Sequence, residues 1–288
     1  MFEQAVVVID FETSGMSPEQ GGRVTEVAAL RIVGGAVTER FVSLVNSRVR
    51  IPYFITELTG ITQAMVDAAP PAEEVFPSLL AFIGDSALVA HNASFDEKFL
   101  WSESQRLGLQ PSHQGVICSV KLARRICPGL PSYSLGPLAA ALKIRFEGRA
   151  HRAEADAQVT AALMLYLATQ LQQRYTTQAP INPQLLVQVN RLAAAKVSGF
   201  LQKYFSPPEH AVVTAASPAV SIGHSQRFRH YKGGIYELVC EATQEADLSP
   251  VIVYRAQNGS IWTRPKSVFF EMLEIDGKQV QRFTPLTV

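Results

Sequence analysis

Asp10 and Glu12 stand two residues apart at the end of an apolar run, Val6-Val7-Val8-Ile9. In an extended strand side chains alternate faces, so both carboxylates project to the same side. Like charges held this close repel unless a cation sits between them. Hard divalent ions such as Mg2+ and Mn2+ prefer such oxygen ligands. Taken alone, the pair reads equally as two solvated acids in a turn. A second group, His91-Asn92-Ala93-Ser94-Phe95-Asp96, follows the short run Ala87–Ala90. A third, His151-Arg152-Ala153-Glu154-Ala155-Asp156, precedes a long Ala- and Leu-rich segment. Asp96 and Asp156 are each also what a helix start favours, an acid near the positive end of the dipole. The chemistry these residues suggest together is metal-assisted hydrolysis, with an imidazole as proton acceptor.

The elements that must position these groups can be read from periodicity. Ala5–Phe11 predicts a central strand. Val24–Val33 and Val37–Val45 are rich in β-branched residues and flank Gly34-Gly35, the pattern of a hairpin. Thr56–Leu58 and Thr62–Ala68 predict short helices around Gly60. Ala72–Ile83 repeats apolar residues at helical spacing and stops at Gly84. Ala87–Ala90 predicts a short buried strand. Helices are expected over Asp96–Leu107, Ser119–Ile126, Ser134–Leu142 and Glu154–Gln172. This order points to an α/β domain with a mixed sheet. Residues 176–222 predict a linker that includes one helix over Leu185–Tyr204. Residues 223–288 carry short strand-like runs between turns such as Asn258-Gly259, which predicts a small all-β, barrel-like module.

In this order and at these intervals, DFETSG, HNASFD and HRAEAD resemble the three motifs of the DnaQ-like 3′–5′ exonucleases, in the His-containing DEDDh subclass. The resemblance covers residues 1–175. It implies a ribonuclease H-like fold, a mixed five-stranded sheet flanked by helices. It implies that Asp10, Glu12, Asp96 and Asp156 hold two Mg2+ or Mn2+ ions and that His151 is the general base. Four carboxylates against two divalent cations leave a near-neutral site that a polyanion can approach. A tyrosine at position 152 would mark the sister subclass, but Arg152 stands there. The expected reaction removes nucleoside 5′-monophosphates from the 3′ end of a nucleic acid, with single-stranded DNA favoured and RNA possible. The alternatives are an exoribonuclease of short RNA oligomers and an inactive nucleic-acid-binding scaffold. Phe11, Thr13 and Phe95 flank the acids and are candidates to hold the terminal nucleotide, the phenylalanines by stacking; Phe95 reads equally as core. His91 and Asn92 match family positions near substrate, and a structural role in the loop reads equally well. Glu26 matches a frequent family acid whose role reads as structural. Gly136-Pro137 follow Ser134-Leu135 where the family often has an acid, which weakens any ligand role for that loop.

Composition excludes several classes. The chain has 288 residues, 47% hydrophobic and 18% charged, with a net charge of +1. That is a globular composition, and bulk charge does not argue for a nucleic-acid partner. Residues 1–175 carry net −2 and residues 176–288 net +3. The longest apolar run, Ala161–Ala168, is far short of a membrane span. Three cysteines in no metal-type pairing predict a reduced, cytoplasmic protein. Lys121, Arg124 and Arg125 read as a solvated helix face or as a substrate contact. In the tail, His230-Tyr231-Lys232-Gly233 resembles the start of a small bacterial domain of unknown function. Tyr254, Trp262, Phe269 and Phe270 there read as core or half-exposed, and Arg227, Arg229, Lys232, Arg255, Arg264 and Lys266 as a candidate cationic patch.

Overall fold

The computed structural model describes residues 2–145, 148–206, 227–244, 249–256, 258–275 and 278–286. The chain divides into two compact units. Among the described residues, no helix is long and apolar enough to cross a membrane.

In the first unit the chain runs through strands β1 (Val6–Thr13), β2 (Val24–Val33) and β3 (Ala36–Leu44). Helices α1 (Tyr53–Thr59), α2 (Gln63–Asp67) and α3 (Ala72–Ile83) lead to β4 (Ala87–Ala90) and α4 (Ser94–Arg106). Then come β5 (Val116–Cys118), α5 (Ser119–Ile126), α6 (Leu135–Ala141), α7 (Ala153–Arg174), α8 (Pro183–Arg191) and α9 (Ala194–Phe205). The sheet order is β3-β2-β1-β4-β5. β1 is antiparallel to β2, and β4 runs parallel to both β1 and β5. This is the mixed five-stranded sheet that the resemblance implied. The β2–β3 hairpin turns at Gly34 and Gly35, both with positive φ, as a two-residue turn of that hand requires.

Alternation along β1 divides the core. Val6 and Val8 pack with α5–α9 in one cluster; Val7, Ile9 and Phe11 pack with α3 and α4 in the other. Asp10 and Glu12 continue the Val6–Val8 face, so the strand delivers them to the side on which α7 lies.

Two expectations are corrected, and one strand is new. The strand β5 carries no sequence signal, because three residues are too few to show a period. The helix expected over Leu185–Tyr204 is two helices, with Leu192 and Ala193 in extended conformation between them. No glycine or proline marks that break. The Leu192 carbonyl is turned out to accept from Arg125 Nη2 at 2.7 Å. Residues 176–206 are also not a free linker: Leu185, Leu186, Val189, Val197 and Leu201 are buried in the α7 cluster, so the first unit extends past the boundary expected at 175.

The second unit contains β6 (Arg227–His230), β7 (Ile235–Thr243), β8 (Pro250–Ala256), β9 (Ile261–Pro265), a helical turn α10 (Lys266–Phe269), β10 (Met272–Ile275), β11 (Lys278–Gln281) and β12 (Phe283–Leu286). β12-β6-β7-β8-β9 form an antiparallel sheet, and β10–β11 a hairpin. Its core is aromatic: Phe228, Tyr254, Phe269 and Phe283 are buried with Ile252, and the rings of Phe269 and Phe283 stack at 4.0 Å. Phe270 is half-buried against them, whereas Trp262 is 57% exposed. β10 begins only at Met272, because Phe269 closes the helical turn. The cationic candidates do not share one face. Arg255 pairs across the strands with Glu237, and Glu237 with Arg227, on the face opposite Tyr254. Arg264 lies opposite Ile252 on the core side, and Lys266 is bound to Glu241 at 2.6 Å.

Candidate active site

One carboxylate oxygen from each of Asp10, Glu12 and Asp156 can be chosen so that all three lie within 4.8 Å of one another. Asp10 and Glu12 come from the end of β1, and Asp156 from the first turn of α7. Asp96, in the first turn of α4, is 3% exposed, and its Oδ1 accepts a hydrogen bond from the Phe11 amide at 3.2 Å. The fourth acid is thus tied to the residue between the first two.

Electrostatics shows what such crowding does. Burial raises the Asp10 carboxyl well above its usual range, and Asp96, Asp156, Glu12 and Glu26 add to the rise. Glu12 is pushed up to about 8 by burial and then by Asp156 and Glu26, while Arg152 opposes the shift. Asp96 is pushed up to about 8 by burial, against the backbone hydrogen bonds it accepts. Asp156 is raised by burial and lowered again by the His151 amide and the His151 charge. Burial is the leading cause of the rise for all four acids, and for Asp10 and Glu12 the neighbouring carboxylates add to it. The donor set is all carboxylate oxygen, with no thiolate or imidazole in the cluster. That chemistry fits hard divalent cations.

His151 lies on the loop before α7, exposed, with a left-handed backbone (φ 61°). Its amide donates to Asp156 Oδ2 at 3.2 Å, which keeps the histidine beside that acid. The loop is anchored from a second side. Arg149 Nη2 donates to the Glu57 carbonyl at 3.3 Å, and its guanidinium lies over Gly60, where an added Cβ would stand 2.4 Å from Nη1.

The other candidates are placed differently. Phe11 is buried and packs on Phe76 at 6.2 Å, on the sheet face away from Asp10 and Glu12. Phe95 packs on Phe99 at 4.9 Å and is only partly buried. The Thr13 hydroxyl donates to the Gly15 carbonyl at 2.7 Å, closing the turn after β1. His91 is spent on structure. Its Nε2 faces the Tyr133 carbonyl at 3.0 Å and its Nδ1 the Ser119 hydroxyl at 2.9 Å. A carbonyl only accepts, so Nε2 carries the proton. Burial lowers this imidazole to about 4, which keeps it neutral. Asn92 is exposed, with φ 67°.

Sequence reasoning missed the role of Arg152. Glu12 and Glu26 are direct partners across β1 and β2, a like-charge pair that destabilises a sheet. The Arg152 guanidinium binds both oxygens of Glu26, which is 3% exposed, and Glu26 Oε2 also accepts from the Ala153 amide at 3.0 Å. Glu26 therefore satisfies the amino end of α7 in place of a capping side chain. The signal was in the register: a second acid opposite Glu12 demands a cation, and the third motif supplies one.

A family description reading "Exonuclease" matches residues 7–164, more than half of the chain and the whole span from β1 into α7. The chain belongs to the exonuclease family. Its relatives are DnaQ-like 3′–5′ exonucleases, and the family generally uses divalent metals. This exonuclease-family chain is 37% identical over 175 residues to the DNA polymerase III subunit epsilon of Aquifex aeolicus (strain VF5), covering 61% of this chain and 86% of that one. It is 38% identical over 173 residues to the 3′-5′ exonuclease DinG of Bacillus subtilis (strain 168), covering 60% of this chain but 18% of that protein's length. Among solved structures, Exonuclease X in complex with 5′ overhanging duplex DNA is 28% identical with a TM-score of 0.50, covering 64% of this chain and 99% of that chain. The nuclease domain of 3′hExo, a DEDDh family member, is 20% identical with a TM-score of 0.52, over 57% of this chain and 92% of that chain, and shows the shared fold alone. The second unit matches a description reading "Protein of unknown function (DUF1653)" over residues 226–285.

Proposed function

We propose that this chain is a cytoplasmic, metal-dependent exonuclease that trims single-stranded DNA from its 3′ end and releases nucleoside 5′-monophosphates. The observation that carries the reading is the convergence of Asp10, Glu12 and Asp156 within 4.8 Å, beside a buried Asp96. Asp10, Glu12, Asp96 and Asp156 would hold two ions, Mg2+ or Mn2+. Bound there, such ions neutralise charge on phosphoryl oxygens and acidify water. The His151 imidazole takes the proton of the attacking water, a task suited to this side chain near neutral pH. The water oxygen bonds to phosphorus as the bond from phosphorus to the 3′-oxygen breaks, and the departing oxygen takes a proton from solvent. Arg149 and the Asp156 carboxylate hold the His151 loop in place for that transfer. The free thiols Cys118, Cys127 and Cys240 support a reducing compartment.

The test is nucleotide release from 3′-labelled single-stranded DNA, duplex DNA and di- to pentaribonucleotides. EDTA and, separately, Asp96→Asn should each lower the rate by at least about a hundredfold, in keeping with the size of such catalytic contributions. Full activity in either case overturns the reading. Faster turnover of the ribonucleotides redirects it to short RNA, and binding without turnover in Mn2+ redirects it to a scaffold.

A further inference from the structure

A groove in the first unit lies where the loop before α4 meets α5 and α8. It is lined by Asn92 and Ser94, by Lys121 and Arg124 of α5, and by Asn190 and Arg191 at the end of α8, with Glu97 the acid on its wall. Asn92 and Ser94 belong to the loop and first turn that carry Asp96, so the groove begins within two residues of a candidate metal ligand. Lys121 and Arg124 are three apart and share a helix face. Lys121, Arg124 and Arg191 are all exposed, and among the described residues none forms an ion pair with a carboxylate. Arg125, read from the sequence with the other two, is turned away. It donates to the carbonyls of Lys121 and Leu192 and so fastens α8 to α5.

The wall contributed by α8 is built rather than incidental. Asn190 is 9% exposed, and its Oδ1 accepts from the Cys118 amide at 2.8 Å while its Nδ2 donates to the Leu186 carbonyl at 3.2 Å. Arg191 is therefore placed between two side-chain-anchored residues, Asn190 and Leu192. α8 lies outside the span matched by the exonuclease description.

We propose that this groove carries the phosphate backbone of a single-stranded nucleic acid away from the acidic corner, with Lys121, Arg124 and Arg191 binding its phosphates. The inference rests on the nuclease reading and adds where the strand runs. Residues 1–175 have a net charge of −2, so a polyanion entering here needs local cations. Three cations without an ion-pair partner among the described residues line one groove, and its continuity with the Asp96 loop favours the substrate strand over an acidic peptide.

The test compares wild type with the triple variant Lys121→Gln, Arg124→Gln, Arg191→Gln and with the double variant Lys121→Gln, Arg191→Gln, which spares the packing of Arg124 on Tyr133. KM is measured on dT2 and dT12 over a range of salt. For the triple variant the ratio of variant to wild-type KM should climb with strand length and reach roughly tenfold on dT12. The salt dependence of log KM should become shallower by about 0.7 for each phosphate that no longer has a cationic partner. A second arm follows labelled dT12 by fluorescence anisotropy in an Asp96→Asn background, where turnover plays no part, and should show the same weakening. Equal dT12 affinity and equal salt slopes in folded variants overturn the groove, as does a poly-glutamate peptide that binds wild type as tightly as dT12. Should the wild type bind dT12 through these residues yet release no nucleotide, the groove stands and the nuclease reading falls.

Discussion

At the scale of single residues, the acid corner is a charge problem solved only by something cationic. Glu12 and Asp96 are pushed up to about 8, and Asp10 and Asp156 are also raised. In an unfolded chain such carboxyls titrate near 4. Between these limits the native state binds more protons than the unfolded state, so metal-free stability falls as pH rises through that window. The Tm of EDTA-treated protein should therefore drop by several degrees from pH 5 to pH 8, and Mg2+ or Mn2+ should raise Tm more at pH 8 than at pH 5. A flat Tm profile in EDTA would show that the acids are not crowded as described. The placement of the acid motifs was legible because three separate patterns fell on strand and helix ends. The placement of Phe11 was not. The alternation that puts Asp10 and Glu12 on one face also sends Phe11 to the other, a consequence of period two that motif matching passes over. His91 was illegible for a different reason, since its partners Ser119 and Tyr133 are distant in sequence.

At the scale of elements, α7 must dock at one depth on β1 and β2 for Asp156 to meet the β1 acids. The Glu26–Arg152 pair sets that depth and also closes the amino end of the helix. Glu26→Gln keeps the shape but removes the charge. With Arg152 38% exposed, its guanidinium regains water, so the loss should be about 1–2 kcal/mol, less than for a fully buried pair. Thermal denaturation gives the loss directly. Kinetics should show kcat falling more than KM, since the change displaces the base and the last acid. An unchanged Tm would mean that another interaction seats the helix. Several elements were readable from their patterning: β2, α3, β4 and α5 run as expected to the residue. The break between α8 and α9 was not, because no glycine or proline marks it and the Leu192 carbonyl finds its partner, Arg125, far away in sequence.

At the scale of the whole molecule, every group assigned to chemistry or to the strand path lies in residues 2–206, inside one compact unit with its own two-sided core. A chain ending at Ser206 should fold and keep kcat on dT12 within about twofold of the full chain, as expected of a domain with an independent core. A drop beyond tenfold would assign the second unit a part in turnover. That unit's cations fall on different faces of its sheet, so its composition alone was a poor guide to what it touches.

The acid corner draws its first two members from β1 and its last from α7, the longest helix of the unit. On a ribosome, then, the first strand emerges long before the segment that completes the quartet. The three-acid cluster cannot form on the nascent polypeptide until that helix has been synthesised and has folded back across the sheet.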